Sequence, residues 1–124
     1  MKDTGLLILR LGFGGMMLPH GYSKLLKLFS GGEIHFYNFL GIGETFSLIL
    51  AVIAEFLCAI MIIIGVNTRL AAIPLAVSMA AAAFMVHAGD PWAKKEMAII
   101  YLIGYLAIAF LGSGKYSLDG LKSN

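Results

Sequence analysis

The stretch that decides the fold is residues 45–66, TFSLILAVIAEFLCAIMIIIGV. Apart from Glu55, every residue in it is apolar or small and uncharged. Its length matches the roughly 20 residues that an α-helix needs to cross the hydrocarbon core of a bilayer. A carboxylate at the centre of such a helix costs about 2.5 kcal/mol or more to insert. Glu55 must therefore have a partner, a proton or a chemical role.

The composition of the whole chain assigns it to the membrane. Of its 124 residues, 60% are hydrophobic and 13% are charged, and the mean hydropathy is +0.89. A soluble domain of this size needs more charge to cover its surface. The net charge of +2 includes no basic cluster, which excludes nucleic acid as a partner. A single cysteine excludes an internal disulfide and a thiolate-rich metal site, and we expect no metal centre.

Four hydrophobic segments predict an all-α, four-helix transmembrane bundle that forms one domain over residues 1–124. The predicted spans are residues 6–29, 45–66, 70–87 and 96–111. Pro19 leaves open whether the first span is one helix or a broken one. The aromatic segment 33–41 is too short to span, and we expect it to lie in the interface or to fold back over the mouth of the bundle.

Small and polar residues mark the faces that point into the bundle, because small residues let helices approach closely in lipid. The interior faces are Arg10, Gly14, Met17, Gly21 and Lys24 in the first span; Ala51, Glu55, Cys58 and Gly65 in the second; Ala72, Ala76, Ala80, Ala83 and His87 in the third; and Ala98, Tyr101 and Tyr105 in the fourth. These faces together predict a tight bundle.

We expect five ionisable side chains to form one polar cluster that opens towards the first and third loops. Its predicted members are His20, Lys24, Glu55, His87 and Glu96. Glu55 lies near mid-membrane and leans towards that side, because helical side chains point back towards the helix N-terminus. Lys24 and His20, one turn apart on the first span, are its expected partners.

The remaining polar residues are interpreted as structural. Arg10 leans away from the cluster, and we expect it near the opposite surface with Arg69 or Asp119. The alternative for Arg10 is a site for an anionic ligand or lipid head group. Tyr101 could stack on a bound ring, although aromatic residues at this spacing usually pack in the core.

Several motifs recur together in one known family. They are Arg10 with Gly12, GYSKL at residues 21–25, Glu55, GVNTR at residues 65–69 and GSGKYSLD at residues 112–119. In their order and spacing they resemble the DoxX family of small four-helix bacterial membrane proteins. The resemblance extends over nearly the whole chain.

The resemblance implies a multi-pass protein of the bacterial cytoplasmic (inner) membrane with both termini in the cytoplasm. Basic residues divide almost evenly between the two sides, so charge alone does not fix the orientation. The family name comes from a subunit associated with quinone-linked terminal oxidase or thiosulfate oxidation systems. Other members are linked to catechol or quinone resistance and to oxidative stress. The family pattern has no agreed ligand set, so no cofactor ligands are transferred to this chain.

The leading hypothesis is a redox-associated membrane protein, an oxidoreductase subunit if it turns over, that engages a quinone or a similar lipophilic aromatic compound. Glu55 would accept the proton of a ring hydroxyl, His20 or another histidine would relay it, and Lys24 would hold Glu55 in its charged form. The other ligand-binding residues would be His87, Glu96 and Tyr101.

Two alternatives stay open. One is a non-enzymatic scaffold or assembly subunit in which Glu55 only locks the helix register. The other is a small proton-coupled exporter. Haem ligation by His20 and His87 has weak support, and hydrogen-bonded or interfacial histidines are expected instead. The expected partners are the lipid bilayer and either a second copy of the chain or a redox complex, because so small a bundle encloses little.

Overall fold

The computed structural model describes residues 1–122, in which helices and loops occur and no β-strand. The helices are α1 (Lys2–Leu28), α2 (Glu44–Ile64), α3 (Thr68–Val86), α4 (Trp92–Leu111) and α5 (Leu118–Lys122). The all-α prediction is confirmed. The short α5 is an addition to the four predicted segments, and α1 continues unbroken through Pro19.

Both α2 and α3 contain a π-helical segment. In α2 the segment is Ile53–Leu57, with Glu55 at its centre. In α3 it is Ala82–Val86, directly before His87. A π-segment bonds each N–H to the carbonyl five residues back, which changes the direction of the side chains around it, and such segments are frequent at functional sites. The sequence pattern predicts neither segment.

Left-handed residues and a carboxylate cap make the turn between α2 and α3 tight. Gly65 ends α2 at φ 76° and ψ 41°, a conformation that glycine adopts without a steric cost. The N–H groups of Asn67 and Thr68 at the start of α3 donate to the carboxylate of Asp119 at 2.9 and 3.0 Å. The C-terminal tail thus caps the third helix.

The four long helices pack in a closed ring. α1 lies along α2, and α3 packs extensively on α4. α2 also contacts α3, and α1 contacts α4, so α2 and α4 are diagonal to each other. Most members of the predicted interior faces are buried: Arg10, Gly14, Met17, Gly21, Glu55, Cys58, Gly65, Ala72, Ala76, Ala83, Ala98, Tyr101 and Tyr105.

Two helices, α2 and α3, are long and apolar enough to cross a membrane. The most apolar 18-residue stretch of α2 has a mean hydropathy of 2.8, and 44% of it is buried inside the fold. The corresponding stretch of α3 has a mean hydropathy of 1.8, and 33% of it is buried. α1 and α4 do not reach the same apolar character, because each carries charged residues within its length. Most of the apolar surface of α2 and α3 therefore faces outward.

Candidate functional site

Glu55 is buried where three helices meet. Only 3% of its surface is exposed. The Lys24 ammonium of α1 donates to Oε1 and forms an ion pair with it. The Ser78 hydroxyl of α3 donates to Oε2 at 3.2 Å. Each carboxylate oxygen has a partner from a different helix, and Lys24 is the partner that the sequence predicts.

Gly21 explains how Lys24 reaches Glu55. Gly21 is buried, and Lys24 lies three residues later on the same side of α1. A Cβ at position 21 would overlap the backbone of Glu55 and Phe56 in the π-segment of α2. Glycine therefore permits the close approach of the two helices that brings the ammonium to the carboxylate.

A cavity of about 690 Å³ lies beside Glu55, between α2, α3 and the connector that joins α1 to α2. This volume is within the range of small-molecule sites. Most of its lining is apolar, and its polar residues are Lys24, Ser47, Glu55, Ser78 and His87. Both π-segments contribute to its wall. We refer to it below as the Glu55 cavity.

Aromatic residues of the connector cover one side of the Glu55 cavity. Phe36, Tyr37 and Phe39 line it. The Phe39 N–H donates to the Ser47 hydroxyl at 2.9 Å, and the Lys27 ammonium lies 5.5 Å from the centre of the Phe36 ring. At this end of the bundle the connector therefore lies against α1 and α2.

His87 lines the Glu55 cavity at the end of α3, where it is paired with Asp90. Its Nδ1 lies 2.8 Å from Oδ2 of Asp90. The hydrogen bond from His87 is the main cause that holds the pKa of Asp90 below its ordinary value. Asp90 therefore stays ionised to a lower pH than an ordinary aspartate does.

His20 and Glu96 are not brought into the predicted cluster. His20 is exposed, and its ring meets the Tyr101 ring edge-on with centroids 6.1 Å apart. Glu96 is exposed near the start of α4. Lys24 contacts Glu55 of α2, whereas His20, one turn earlier on α1, contacts Tyr101 of α4, which lies diagonally across from α2. The predicted set of five thus reduces to Lys24, Glu55 and His87 around the cavity.

Comparison with known proteins places these residues in a family. The DoxX family model matches residues 5–88, which contain Lys24, Glu55, Ser78 and His87. The chain belongs to the DoxX family. It is similar to a protein of Haemophilus influenzae (strain ATCC 51907 / DSM 11121 / KW20 / Rd) described as uncharacterized, at 32% identity over 124 aligned residues, covering 92% of this chain and 87% of that protein. No solved structure matches the chain.

Membership of the DoxX family makes this a membrane protein, in agreement with its composition and with the apolar surfaces of α2 and α3. The family model also covers three of the four long helices and the whole connector. All the residues that line the Glu55 cavity lie within the matched range.

Tyr101 of this DoxX protein lies in the helix core and is not among the residues that line the Glu55 cavity. It stacks on Tyr105 with centroids 5.9 Å apart, and Phe13 packs edge-on against both rings at 6.0 Å. The Tyr105 hydroxyl donates to the Phe13 carbonyl at 3.0 Å. The rings of Tyr101 and Tyr105 therefore serve to pack α4 against α1.

Arg10 lies at the opposite end of the bundle and is 1% exposed. Its guanidinium donates to backbone carbonyls of Ile62 and Ile63 at 3.0 and 2.8 Å, and of Ser113 and Tyr116 at 3.2 and 2.8 Å. Arg10 thus lies next to the C-terminal tail, but its side chain is buried among backbone carbonyls and does not reach the surface.

Arg69 and Asp119 border a second cavity, of about 590 Å³, at that same end. Arg69 is exposed beside Gly112, while the carboxylate of Asp119 caps α3 and interacts electrostatically with Arg10. These residues connect the tail with the start of α3, as a structural role requires.

Sequence analysis missed Ser78 as a partner of Glu55. A signal was present, because Ser78 is the one polar side chain in residues 70–86. A lone hydroxyl among alanines and aliphatic residues needs a hydrogen-bond acceptor in a membrane. A backbone carbonyl of the same helix can also accept this hydrogen bond, so a lone serine does not by itself identify Glu55 as the partner.

Proposed function

We propose that this DoxX protein is a redox-associated membrane protein that binds a quinone or a similar lipophilic aromatic compound in the Glu55 cavity. The observation that carries the proposal is the buried Glu55, paired with the half-buried Lys24 and Ser78, at the edge of an apolar cavity of about 690 Å³. Apolar walls suit a ring, and a few placed polar groups orient its oxygen atoms.

The polar groups have separable tasks in this proposal. Glu55 accepts a hydrogen bond, and then the proton, from a ring hydroxyl. Lys24 is paired with Glu55 and can donate to a ring oxygen. The relay that the sequence analysis gave to a histidine falls to His87, which lines the same cavity, and no longer to His20.

We also propose that α1 to α4 all cross the bacterial cytoplasmic membrane, with both termini in the cytoplasm. The closed ring supports this arrangement, because α1 and α4 pack directly on the two apolar helices and would share their depth in the bilayer. With an even number of spans, the C-terminal tail lies on the same side of the membrane as the start of α1. The hydrogen bond from the Lys115 N–H to the carboxylate of Asp3 at 3.0 Å agrees with this.

The test is the binding of a tail-less quinol, 2,3-dimethoxy-5-methylbenzoquinol, to the purified protein in lipid nanodiscs. We expect saturable binding that Glu55→Gln weakens about tenfold or more, because a hydrogen bond to a charged group contributes about 1.5–3 kcal/mol. Glu44→Gln is the matched control, since Glu44 is an exposed carboxylate on the same helix. Its binding should equal that of the wild type.

Ser78→Ala keeps the test decisive if Glu55→Gln fails to fold. It removes the hydroxyl partner of Oε2 and leaves the ion pair with Lys24 in place. We expect weaker quinol binding and a smaller loss of thermal stability than for Glu55→Gln, because the ion pair remains. The proposal would be refuted, and the scaffold alternative favoured, if the wild type showed no saturable binding. The same holds if both cavity variants bound the quinol as tightly as the wild type.

A further inference from the structure

We infer that the ligand of the Glu55 cavity is an oxygen-bearing ring with a long hydrocarbon tail, which enters sideways from the bilayer between α2 and α3. The inference rests on the proposed function and adds to it a route of entry and a narrower class of ligand. Three features of the cavity support it: the divergence of two helices, the exposure of its wall and the position of its polar end.

The first feature is a gap between α2 and α3. The helices are joined by the turn after Gly65, and the segment Cys58–Ile64 packs against Thr68–Ala81 next to that turn. Further from the turn, the first half of α2, Glu44–Val52, packs on α1 and makes no comparably close contact with α3. The two helices therefore diverge, and the Glu55 cavity occupies the space that opens between them.

The second feature is an aliphatic wall that is exposed on the outside of the bundle. Several residues line the cavity and still expose 43–56% of their surface: Leu50, Ile53, Ile73, Val77 and Val86. Lining side chains that are this exposed indicate that the Glu55 cavity is open along this side. α2 and α3 are also the two helices apolar enough to span a membrane. The opening therefore faces the hydrocarbon.

The third feature is that Glu55 lies at the inner end of the cavity. Glu55 is buried, whereas the connector side of the cavity is covered by Phe36, Tyr37 and Phe39. A ligand that comes through the gap brings its ring oxygen to Glu55 while its tail remains among aliphatic side chains and lipid. Such a tail stays in the membrane because hydrocarbon favours the apolar phase over water. An alkyl- or prenyl-substituted quinol fits this arrangement.

The experiment compares two probes in nanodiscs: the tail-less quinol named above and the same ring with a ten-carbon alkyl tail. Val77→Trp places a large side chain on the aliphatic rim of the gap. We expect it to weaken binding of the tailed quinol about tenfold or more and that of the tail-less ring about threefold or less. Ile103→Trp on α4 is the control, because Ile103 is 62% exposed and does not line the cavity.

The outcomes separate the two proposals. If the wild type binds neither probe, the proposed function fails and the inference fails with it. If the wild type binds the probes but Val77→Trp changes both equally or neither, the lateral route alone is overturned. Ile73→Trp, on the same rim, gives a second measurement should Val77→Trp unfold, and it should discriminate between the probes in the same way.

Discussion

Two buried charges stabilise opposite ends of this DoxX protein by different means. Glu55 is paired with Lys24 and Ser78 next to a cavity, so a ligand can compete for its partners. Arg10 donates to four backbone carbonyls, and its guanidinium lines neither cavity. A planar group with five N–H donors suits such a set of acceptors, and an ammonium does not. Glu55 can therefore exchange a partner for a ligand, whereas the donors of Arg10 are occupied by backbone carbonyls.

We predict that Arg10→Lys destabilises the protein while leaving its ligand site intact. The lysine cannot reach carbonyls of both α2 and the tail at once, so several buried acceptors lose their donor. We expect a loss of about 2–4 kcal/mol in the free energy of unfolding, measured by denaturant titration in detergent. Arg69→Lys, at an exposed arginine, should change it by about 0.5 kcal/mol or less. Equal stability of the two variants would contradict the structural role of Arg10.

At the residue scale, the sequence predicts the pairing of Glu55 with Lys24 because depth and helix direction can be counted along the chain. It does not place His20 or Glu96, because their surroundings depend on which helix lies next to which. His20 is one turn from Lys24, yet it meets Tyr101 of α4 and not the carboxylate. Spacing along one helix identifies a face, but it does not identify the neighbour that this face meets.

The packing of α1 on α2 depends on two glycines of the predicted interior face. A Cβ at Gly14 would lie 2.8 Å from Cγ1 of Ile63 and 3.1 Å from the Ala59 carbonyl oxygen. A Cβ at Gly21 would overlap the backbone of Glu55. Since backbone atoms cannot move aside as a side chain can, Gly21 is the more demanding position.

We predict that Gly21→Ala separates α1 from the π-segment of α2 and weakens the contact of Lys24 with Glu55. Overpacking of this kind costs about 1–3 kcal/mol, and quinol binding should fall together with the unfolding free energy. Gly15→Ala is the matched control, because a Cβ at that exposed glycine meets nothing within 4 Å. It should be neutral or stabilising by about 0.5–1 kcal/mol. If both alanines behave alike, close approach at Gly21 is not what positions Lys24.

At the scale of elements, hydrophobic runs predict the helices and small residues predict their inner faces, since both follow from local periodicity. The π-segments Ile53–Leu57 and Ala82–Val86 do not follow from it. A π-segment arises when packing and backbone bonding over a whole helix favour one extra residue in a turn. The sequence therefore predicts a polar cluster at Glu55 that opens towards the loops, but it does not predict the π-segments that border the cavity.

The whole molecule has one closed end and one open end. At the closed end, Arg10, the Asp119 cap and the hydrogen bond from Lys115 to Asp3 tie the tail to α1, α2 and α3. At the other end, α2 and α3 diverge around the Glu55 cavity, and the connector covers it. In the proposed orientation, the closed end faces the cytoplasm and the cavity opens within the outer half of the bilayer.

This orientation predicts which introduced cysteines react in intact bacterial cells. Lys94 lies in the first turn of α4, Lys115 lies in the tail that follows the other end of α4, and both are exposed. Lys94→Cys should react with a membrane-impermeant maleimide in intact cells, and Lys115→Cys only after lysis, as read by a mass shift on a gel. The wild type is the background control, because its one cysteine, Cys58, is buried. Reaction of both variants from the same side would exclude a membrane-spanning α4, and the reverse pattern would invert the orientation while retaining the span.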